Sequence, residues 1–276
     1  MCFSIGIDNG STSTKTAVLD ENETPALLFV QPTGWSSVDT AEAVRQHLIQ
    51  KGYDPALFPC VATGYGRVAV PYADKAVTEI TCHARGAMLL HGSGNLTVID
   101  IGGQDTKIIR VQNGKIIDFI MNDKCSAGTG RFLEIMANTM GLRPDTLCDL
   151  ASRGGSISIS SMCTVFAESE VISLIGKGES RENIAFAVVD SIVKKVASQA
   201  GHLDMGNEVC LTGGLCQCEY VLQALGTALN KTIIADANGR YAGAIGAALA
   251  AREIRKKEAR EIRKKATPEG RMDGIL

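Results

Sequence analysis

One octapeptide pattern occurs twice in this chain, and it constrains the fold more than any other feature. Asp8-Asn9-Gly10-Ser11-Thr12-Ser13-Thr14-Lys15 and Asp100-Ile101-Gly102-Gly103-Gln104-Asp105-Thr106-Lys107 both read D-x-G-x-x-x-T-K. Each follows an apolar run that ends at the aspartate and leads into a second apolar run, which predicts strand, tight turn and strand. Two such units, far apart in sequence, predict two related lobes whose turns face each other across a cleft. Apolar runs bounded by Gly and Asp predict strands over 2–7, 15–20, 26–31, 60–63, 97–101, 106–111, 115–121, 209–212 and 232–235. Helices are expected over 40–51, 79–90, 130–140, 163–176, 181–201, 217–229 and 242–265, with Pro144 inside a linking segment. Strands mixed with helices of this length predict an α/β fold.

The turns carry the first chemistry. A Gly-rich turn between two strands exposes backbone N–H groups that can surround phosphate oxygens. Ser11, Thr12, Ser13 and Thr14 add donors beside Gly10, Lys15 adds charge, and Gly102, Gly103 and Gln104 are their counterparts in the second turn. Asp8 and Asp100 would place like charges near each other, and a bound Mg²⁺ with its waters would offset that repulsion while bridging to phosphate. As residues alone, the two aspartates could equally cap their turns. After the strand at 209, Leu211-Thr212-Gly213-Gly214-Leu215 lets a flat base or ribose approach the backbone, and Gly243-Ala244-Ile245-Gly246-Ala247-Ala248 permits close packing in the last helix. There is no P-loop and no dinucleotide fingerprint.

Composition narrows the partners. With 276 residues and 45% hydrophobic content the chain can fill one large domain or two modest lobes, and a net charge of −2 argues against nucleic acid or an acidic membrane as the main partner. The longest apolar stretches, such as 242–251, are short and Gly/Ala-rich, and no basic segment followed by a long apolar run opens the chain. A cytoplasmic protein that neither spans a membrane nor is exported is expected. Nine cysteines in that setting read as thiols, metal ligands or redox groups rather than disulfides. Any one of them alone is most simply a small buried apolar residue.

Two cysteine segments stand between the second turn and the Gly213-Gly214 pair. Met121 to Phe132 contains Cys125, Ser160 to Glu170 contains Cys163, and each cysteine is expected to precede or open a helix. A helix N-terminus supplies partial positive charge and N–H donors that stabilise a thiolate or a negatively charged cluster. Two thiolates do not complete a cubane that needs four, whereas two from each subunit of a symmetric dimer do. On the residues alone, buried thiols remain the alternative. Cys216-Gln217-Cys218 and Cys82-His83 read as packing, because one C-x-C beside a nucleotide pocket is a weak ligand set and adjacent helical residues point about 100° apart. The repeat of 251–257 in 259–265 reads as a charged helix, with Glu253 and Lys257 at i,i+4 spacing.

The order of these pieces resembles the actin, sugar-kinase and heat-shock-chaperone ATPase superfamily: phosphate-one turn, phosphate-two turn, adenosine motif, terminal Gly/Ala helix. More closely, Ile5-Gly6-Ile7-Asp8, Thr63-Gly64-Tyr65-Gly66-Arg67, Asp74-Lys75 with Thr78-Glu79-Ile80 and Cys82-His83-Ala84, Val98 to Asp105 and the two cysteine segments are similar to the BadF/BadG/BcrA/BcrD ATPase family. Its branch of activators of 2-hydroxyacyl-CoA dehydratases is the nearest match, and the resemblance extends to about Arg252. It implies an actin-like ATPase (ASKHA) fold with two ribonuclease-H-like lobes around a nucleotide cleft: 1–94, then 95–250 with a helical insertion at about 121–180, then a charged tail at 251–276. It further implies a cytoplasmic homodimer in which Cys125 and Cys163 of each chain ligate one 4Fe-4S cluster. ATP and Mg²⁺ would sit on Asp8, Asp100 and Gln104, with Gly213, Gly214, Gln217 and Arg240 at the base. One low-potential electron would pass from a ferredoxin or flavodoxin to a partner dehydratase, or to a benzoyl-CoA-type reductase, that carries its own iron–sulfur clusters. Arg240-Tyr241 departs from the Gln-Tyr common in those activators. A sugar or acyl-phosphate kinase and an actin-type scaffold are the rival readings of the same fold.

Overall fold

The structure is a computed structural model that describes residues 2–160 and 163–266, with side chains described as far as Lys256. Ser161 and Met162 beside Cys163, the partner Lys257 expected for Glu253, the charged repeat of 259–265 and the tail beyond 266 lie outside the described residues or side chains. The internal repeat is carried by two five-stranded sheets of the same topology. In the first, β1 (Ser4–Asn9), β2 (Ser13–Leu19) and β3 (Pro25–Pro32) form an antiparallel meander, and β4 (Cys60–Thr63) and β5 (Lys75–Ala76) extend it in parallel, in the order β3-β2-β1-β4-β5. In the second, β6 (Leu96–Ile101), β7 (Thr106–Gln112), β8 (Lys115–Asn122), β9 (Val209–Gly213) and β10 (Ile233–Ile234) repeat this as β10-β9-β6-β7-β8. β1 and β6 are buried along their whole length because both sheet faces are covered, which is why they read as continuous apolar runs.

The helices are α1 (Ser37–Gln50), α2 (Glu79–His91), α3 (Gly130–Thr139), α4 (Pro144–Ala151), α5 (Thr164–Gly176), α6 (Arg181–Ala200), α7 (Glu219–Leu229) and α8 (Ala242–Ala266). Local chemistry sets their ends. Ser36 accepts from the Asp39 amide and starts α1 three residues before the expected position, and Gly92 at φ 62° ends α2 in the left-handed region. α4 replaces the expected linker: Pro144 is its first residue, where a missing N–H costs nothing and a fixed φ suits the helix.

Two central helices lie between the sheets: α2 closes the first repeat and α8 the second, and each packs on the sheet of the other repeat. α8 covers one face of the first sheet through Ala244, Ile245 and Ala248 against Ala17 and Leu19. α2 brings Ala84 and Ala87 against Leu96, Val98, Ile109 and Val111 of the second. The contiguous boundaries expected at 94 and 250 therefore do not follow the packing of these two helices. α1 fills the outer face of the first sheet with Ala41, Val44 and Leu48, and α3 to α7 build the largest apolar core on the outer face of the second. Fully burying each Ile, Leu or Val contributes roughly 1.5–3 kcal/mol. Glycines set the spacing of the central pair. A Cβ on Gly86 would strike the Ala242 carbonyl, one on Gly246 the Cys82 carbonyl and one on Gly6 the Ala244 carbonyl, so β1, α8 and α2 approach backbone to backbone. No helix among the described residues is long and apolar enough to cross a membrane.

Candidate functional site

The two sequence repeats fold into equivalent turns. Asp8 ends β1 opposite Lys15 and Asp100 lies on β6 opposite Lys107, in the same antiparallel register. A parallel neighbour closes each aspartate from the other side: Thr63 pairs with Asp8, and Thr212 pairs with Asp100. The glycine after each threonine has positive φ, 92° at Gly64 and 88° at Gly213. A Cβ would lie 2.7 Å from Asp8 Oδ1 at Gly64 and 3.1 Å from Asp100 Oδ1 at Gly213, so only glycine leaves each carboxylate in place. Sequence reasoning placed Gly213 in an adenosine motif and did not pair it with Gly64. A Thr-Gly after a short apolar strand was the available signal.

Electrostatically the twins differ. Lys107 is 2% exposed and lies 2.8 Å from Glu79, 2.7 Å from Asp105 and 3.6 Å from Asp100. Burial alone would lower its ammonium, but Asp100, Asp105 and Glu79 hold it above the usual lysine range. Lys107 is thus consumed by the protein. Lys15 is half-buried and donates a 3.3 Å hydrogen bond to the Ser13 carbonyl. Asp100 accepts from Thr212 Oγ1 at 2.8 Å and faces His83 Nδ1 at 3.2 Å, without the alignment of a hydrogen bond. Burial would raise the Asp100 carboxyl, yet His83, Lys107 and Thr212 hold it far below the carboxylate range. Burial would likewise lower His83, and Asp100 raises it above the ordinary imidazole value. His83 Nε2 and Asp8 Oδ2 flank the point where a Gly243 Cβ would stand, at 2.9 and 2.8 Å. One imidazole thus lies between the aspartates of the two turns, a role the sequence reading missed when it took Cys82-His83 as packing. Glu79 and His83, one helical turn apart on α2, were the legible sign.

The turn tips meet. A Cβ on Gly103 would collide with the Thr12 side chain and stand 3.6 Å from Ser11 Oγ. Thr12 and Gln104 are exposed there, with Ser11, Ser13, Gly10 and Gly102 half-buried. Thr14 is not at the mouth. It is fully buried, with its hydroxyl 2.9 Å from both Asn9 Oδ1 and Thr33 Oγ1, so it shapes the turn from inside. Beyond Gly213, the exposed Gly214 and Gln217 and the half-buried Arg240 line a cleft of about 810 Å³ together with Arg143, Cys148 and Cys218. Gln217 Nε2 donates to the Ala237 carbonyl at 2.9 Å.

Cys125 and Cys163 are exposed and brought together by their neighbours: Ser126 Oγ and Thr164 Oγ1 are 2.6 Å apart. Cys163 is the N-cap residue of α5, as its sequence setting suggested. Cys125 does not open a helix. It lies in a turn five residues before α3, its carbonyl accepting from Asn122 Nδ2 at 2.8 Å and its amide donating to Asn122 Oδ1 at 3.3 Å. The first amides of α3 serve the second of the two turns instead: Gly130 N donates to the Gly102 carbonyl at 2.9 Å and Arg131 N to that of Gly103 at 2.7 Å. Thr106 Oγ1 donates to the Gly128 carbonyl at 2.7 Å, a third tie between that turn and the Cys125 segment. Among the described residues, no group of three His, Cys, Asp or Glu side chains is placed to hold a metal.

These features can be set beside known proteins. The (R)-2-hydroxyglutaryl-CoA dehydratase activating ATPase of Acidaminococcus fermentans is 39% identical, over 90% of this chain and 96% of the relative. A solved structure of the activator of the 2-hydroxyisocaproyl-CoA dehydratase from Clostridium difficile, with bound ADPNP, superposes with a TM-score of 0.88 at 34% identity, covering 94% of this chain and 97% of that one. A ROK family glucokinase from Streptomyces griseus, at 16% identity and a TM-score of 0.59 over 91% of this chain and 99% of its own, shares the fold alone. The fold is that of the actin-like ATPases. The sequence profile of the BadF/BadG/BcrA/BcrD ATPases matches residues 5–251, from β1 through the buried start of α8, and this chain belongs to that family.

Proposed function

We propose that this chain is an ATP-driven activator that donates one electron at a time to a partner dehydratase of the 2-hydroxyacyl-CoA class, working as a cytoplasmic homodimer with one 4Fe-4S cluster held by Cys125 and Cys163 of both chains. The observation that carries this reading is the set of three hydrogen bonds from the second phosphate turn to the Cys125 segment, continued to Cys163 through Ser126 and Thr164. Whatever moves Gly102 and Gly103 moves the backbone that positions both thiols. The thiols suit the cluster as a donor set: two exposed cysteines on segments joined by the Ser126–Thr164 hydrogen bond, beside Val165 and Phe166, which are 68% and 65% exposed and offer an apolar surface to a second copy. When bound, such a cluster supplies a one-electron carrier at low potential.

In this reading the nucleotide lies between the turns. The amides around Gly10, Gly102 and Gly103, the hydroxyls of Ser11, Thr12 and Ser13, and the Lys15 ammonium hold phosphate oxygens. Asp8 and Asp100 suit a hydrated Mg²⁺, since both carboxylates are buried and Asp8, unlike Asp100, forms no ion pair among the described residues. Gln104, exposed at the second turn, orients the attacking water, and Gly213, Gly214, Gln217 and Arg240 form the base end. Nucleotide can drive the change only through unequal affinity for open and closed arrangements of the two lobes. A ferredoxin or flavodoxin reloads the donor, and the chemistry on the acyl-CoA belongs to the partner.

The test is iron content. Anaerobically purified protein should be a brown dimer with about four irons per pair of chains. Cys125→Ala and Cys163→Ala should each abolish iron binding and weaken dimerisation while retaining ATP binding; Cys216→Ala and Cys218→Ala should keep the colour. A wild type that stays colourless after iron and sulfide reconstitution, or iron that depends on Cys216 and Cys218 instead, overturns the reading.

A further inference from the structure

Cys216-Gln217-Cys218 has no part in the function above, and its second cysteine has a partner from a distant segment. Cys218, just before α7, packs against the core that holds Cys148 of α4, and its thiol neighbours that of Cys148 in one cleft. Both are reduced. Cys148 is 3% exposed and part of the main core, while Cys218 is half-buried and packs against that core. Both line the cleft that also holds Gly214, Gln217 and Arg240, so a covalent bond between them would join α4 to α7 across one wall of it.

The two sulfurs are chemically unequal. The neighbouring Cys148 thiol lowers the Cys218 thiol to about 7, against the effect of burial and with help from the Val221 and Tyr220 amides at the start of α7. The Cys218 thiol, then burial, pushes Cys148 far up. One accessible sulfur that ionises near neutral pH, beside one that stays protonated and sheltered, is an attacking and a resolving thiol. Cys216 is different: it is 2% exposed, burial pushes its thiol to about 11, and its sulfur lies against Gly239.

We propose that Cys148 and Cys218 are a redox dithiol, a site for low-molecular-weight disulfides, which closes to an intrachain disulfide across the base end of the nucleotide cleft. The Cys218 thiolate attacks one sulfur of the small disulfide, whose S–S bond breaks and releases one thiolate, leaving a mixed disulfide on Cys218. Cys148 gives its proton to solvent and attacks the Cys218 sulfur, expelling the second thiolate. Two protein thiols are oxidised and one small disulfide is reduced to two thiols, so two electrons are balanced, and excess dithiol reverses the exchange. Closure brings the sulfurs to about 2.05 Å, drawing α4 and α7 together and narrowing the cleft. This consequence rests on the proposed place of the base at Gly214, Gln217 and Arg240.

The test uses full-length wild type, Cys148→Ser, Cys218→Ser and Cys216→Ser, prepared without oxygen and incubated with oxidised glutathione. Remaining thiols are alkylated, peptides are mapped by mass spectrometry, and binding of a non-hydrolysable ATP analogue is titrated before and after. The wild type and Cys216→Ser should yield a peptide linked from 148 to 218 that dithiothreitol cleaves. Cys148→Ser should stop at glutathione on Cys218, and Cys218→Ser should give neither product. The linked wild type should bind the analogue about tenfold more weakly and recover on reduction. Separate alkylation of both cysteines without a link, or a link from Cys218 to Cys210 or Cys216, overturns the dithiol wherever the base sits. A 148–218 link that forms equally fast under saturating analogue and leaves its binding unchanged overturns the base position and the regulation, while the dithiol itself stands.

Discussion

Lys15 and Lys107 occupy the same place in two copies of one motif, and the structure gives them different work. Lys107 sits between three carboxylates, so Lys107→Met leaves buried acids uncompensated and should cost about 3–5 kcal/mol in urea unfolding. Lys15→Met should cost less than about 1 kcal/mol, since its ammonium donates to the Ser13 carbonyl instead of sitting among carboxylates, but should weaken ATP binding. Equal destabilisation by both would sink the distinction. The aspartates separate in the same way. Asp8→Asn and Asp100→Asn should each lower Mg²⁺-dependent ATP hydrolysis by about a hundredfold or more, as loss of a group facing transition-state charge does. Asp100→Asn should also lower the melting temperature, because His83 and Lys107 lose their charge partner, whereas Asp8→Asn should not. Wild-type hydrolysis by Asp8→Asn would remove the nucleotide from this cleft. At this scale the sequence showed which residues matter and not which way they point. Thr14 and Lys107 fit the phosphate pattern as letters, but their side chains are drawn into the protein, toward Asn9 and Thr33 in one case and Glu79 and Asp105 in the other. His83 and Thr63-Gly64 carried no phosphate pattern because they come from elements that brace the turns instead of forming them.

Among elements, the central helix pair is the place where one atom decides the fold. Gly246→Val puts side-chain atoms into the Cys82 carbonyl, a rigid backbone group that cannot step aside. It should exceed the usual 1–3 kcal/mol of overpacking, roughly, and yield protein that unfolds below the wild type or fails to accumulate. Gly155→Ala, with nothing within 4 Å of its new Cβ, is the matched control and should be neutral or slightly stabilising. Circular dichroism melts of the pair decide it. Long apolar runs made most strands and helices legible, including β6, β7 and α6, because the period of burial survives in the letters. What was not legible had no period to show. β5 is two residues long, and α4 was hidden by reading Pro144 as a breaker when it is a first helical residue. The Gly128-Thr129-Gly130 run reads as the lead-in to a helix, and from there the eye assigns that helix to Cys125; hydrogen bonds to Gly102 and Gly103 assign it to the phosphate turn.

For the whole molecule, the decisive relation is the exchange of α2 and α8 between the sheets. The duplicated turns foretold two sheets, and the parallel topologies follow from that. The exchange could not be read, because both helices are Ala/Gly-rich and either would suit either sheet. Its consequence lies in the order of manufacture. A ribosome releases β1 to β5 before the second sheet and α8 after it, so Ala17 and Leu19 wait for Ala244, Ile245 and Ala248 while the entire second sheet and its helices are made. A chain stopped before Ala242 should accordingly be trapped as aggregate, and a separately supplied peptide of 242–256 should restore soluble protein in a refolding assay. The emerging first half is a face without its cover, held in suspense until the final helix leaves the exit tunnel.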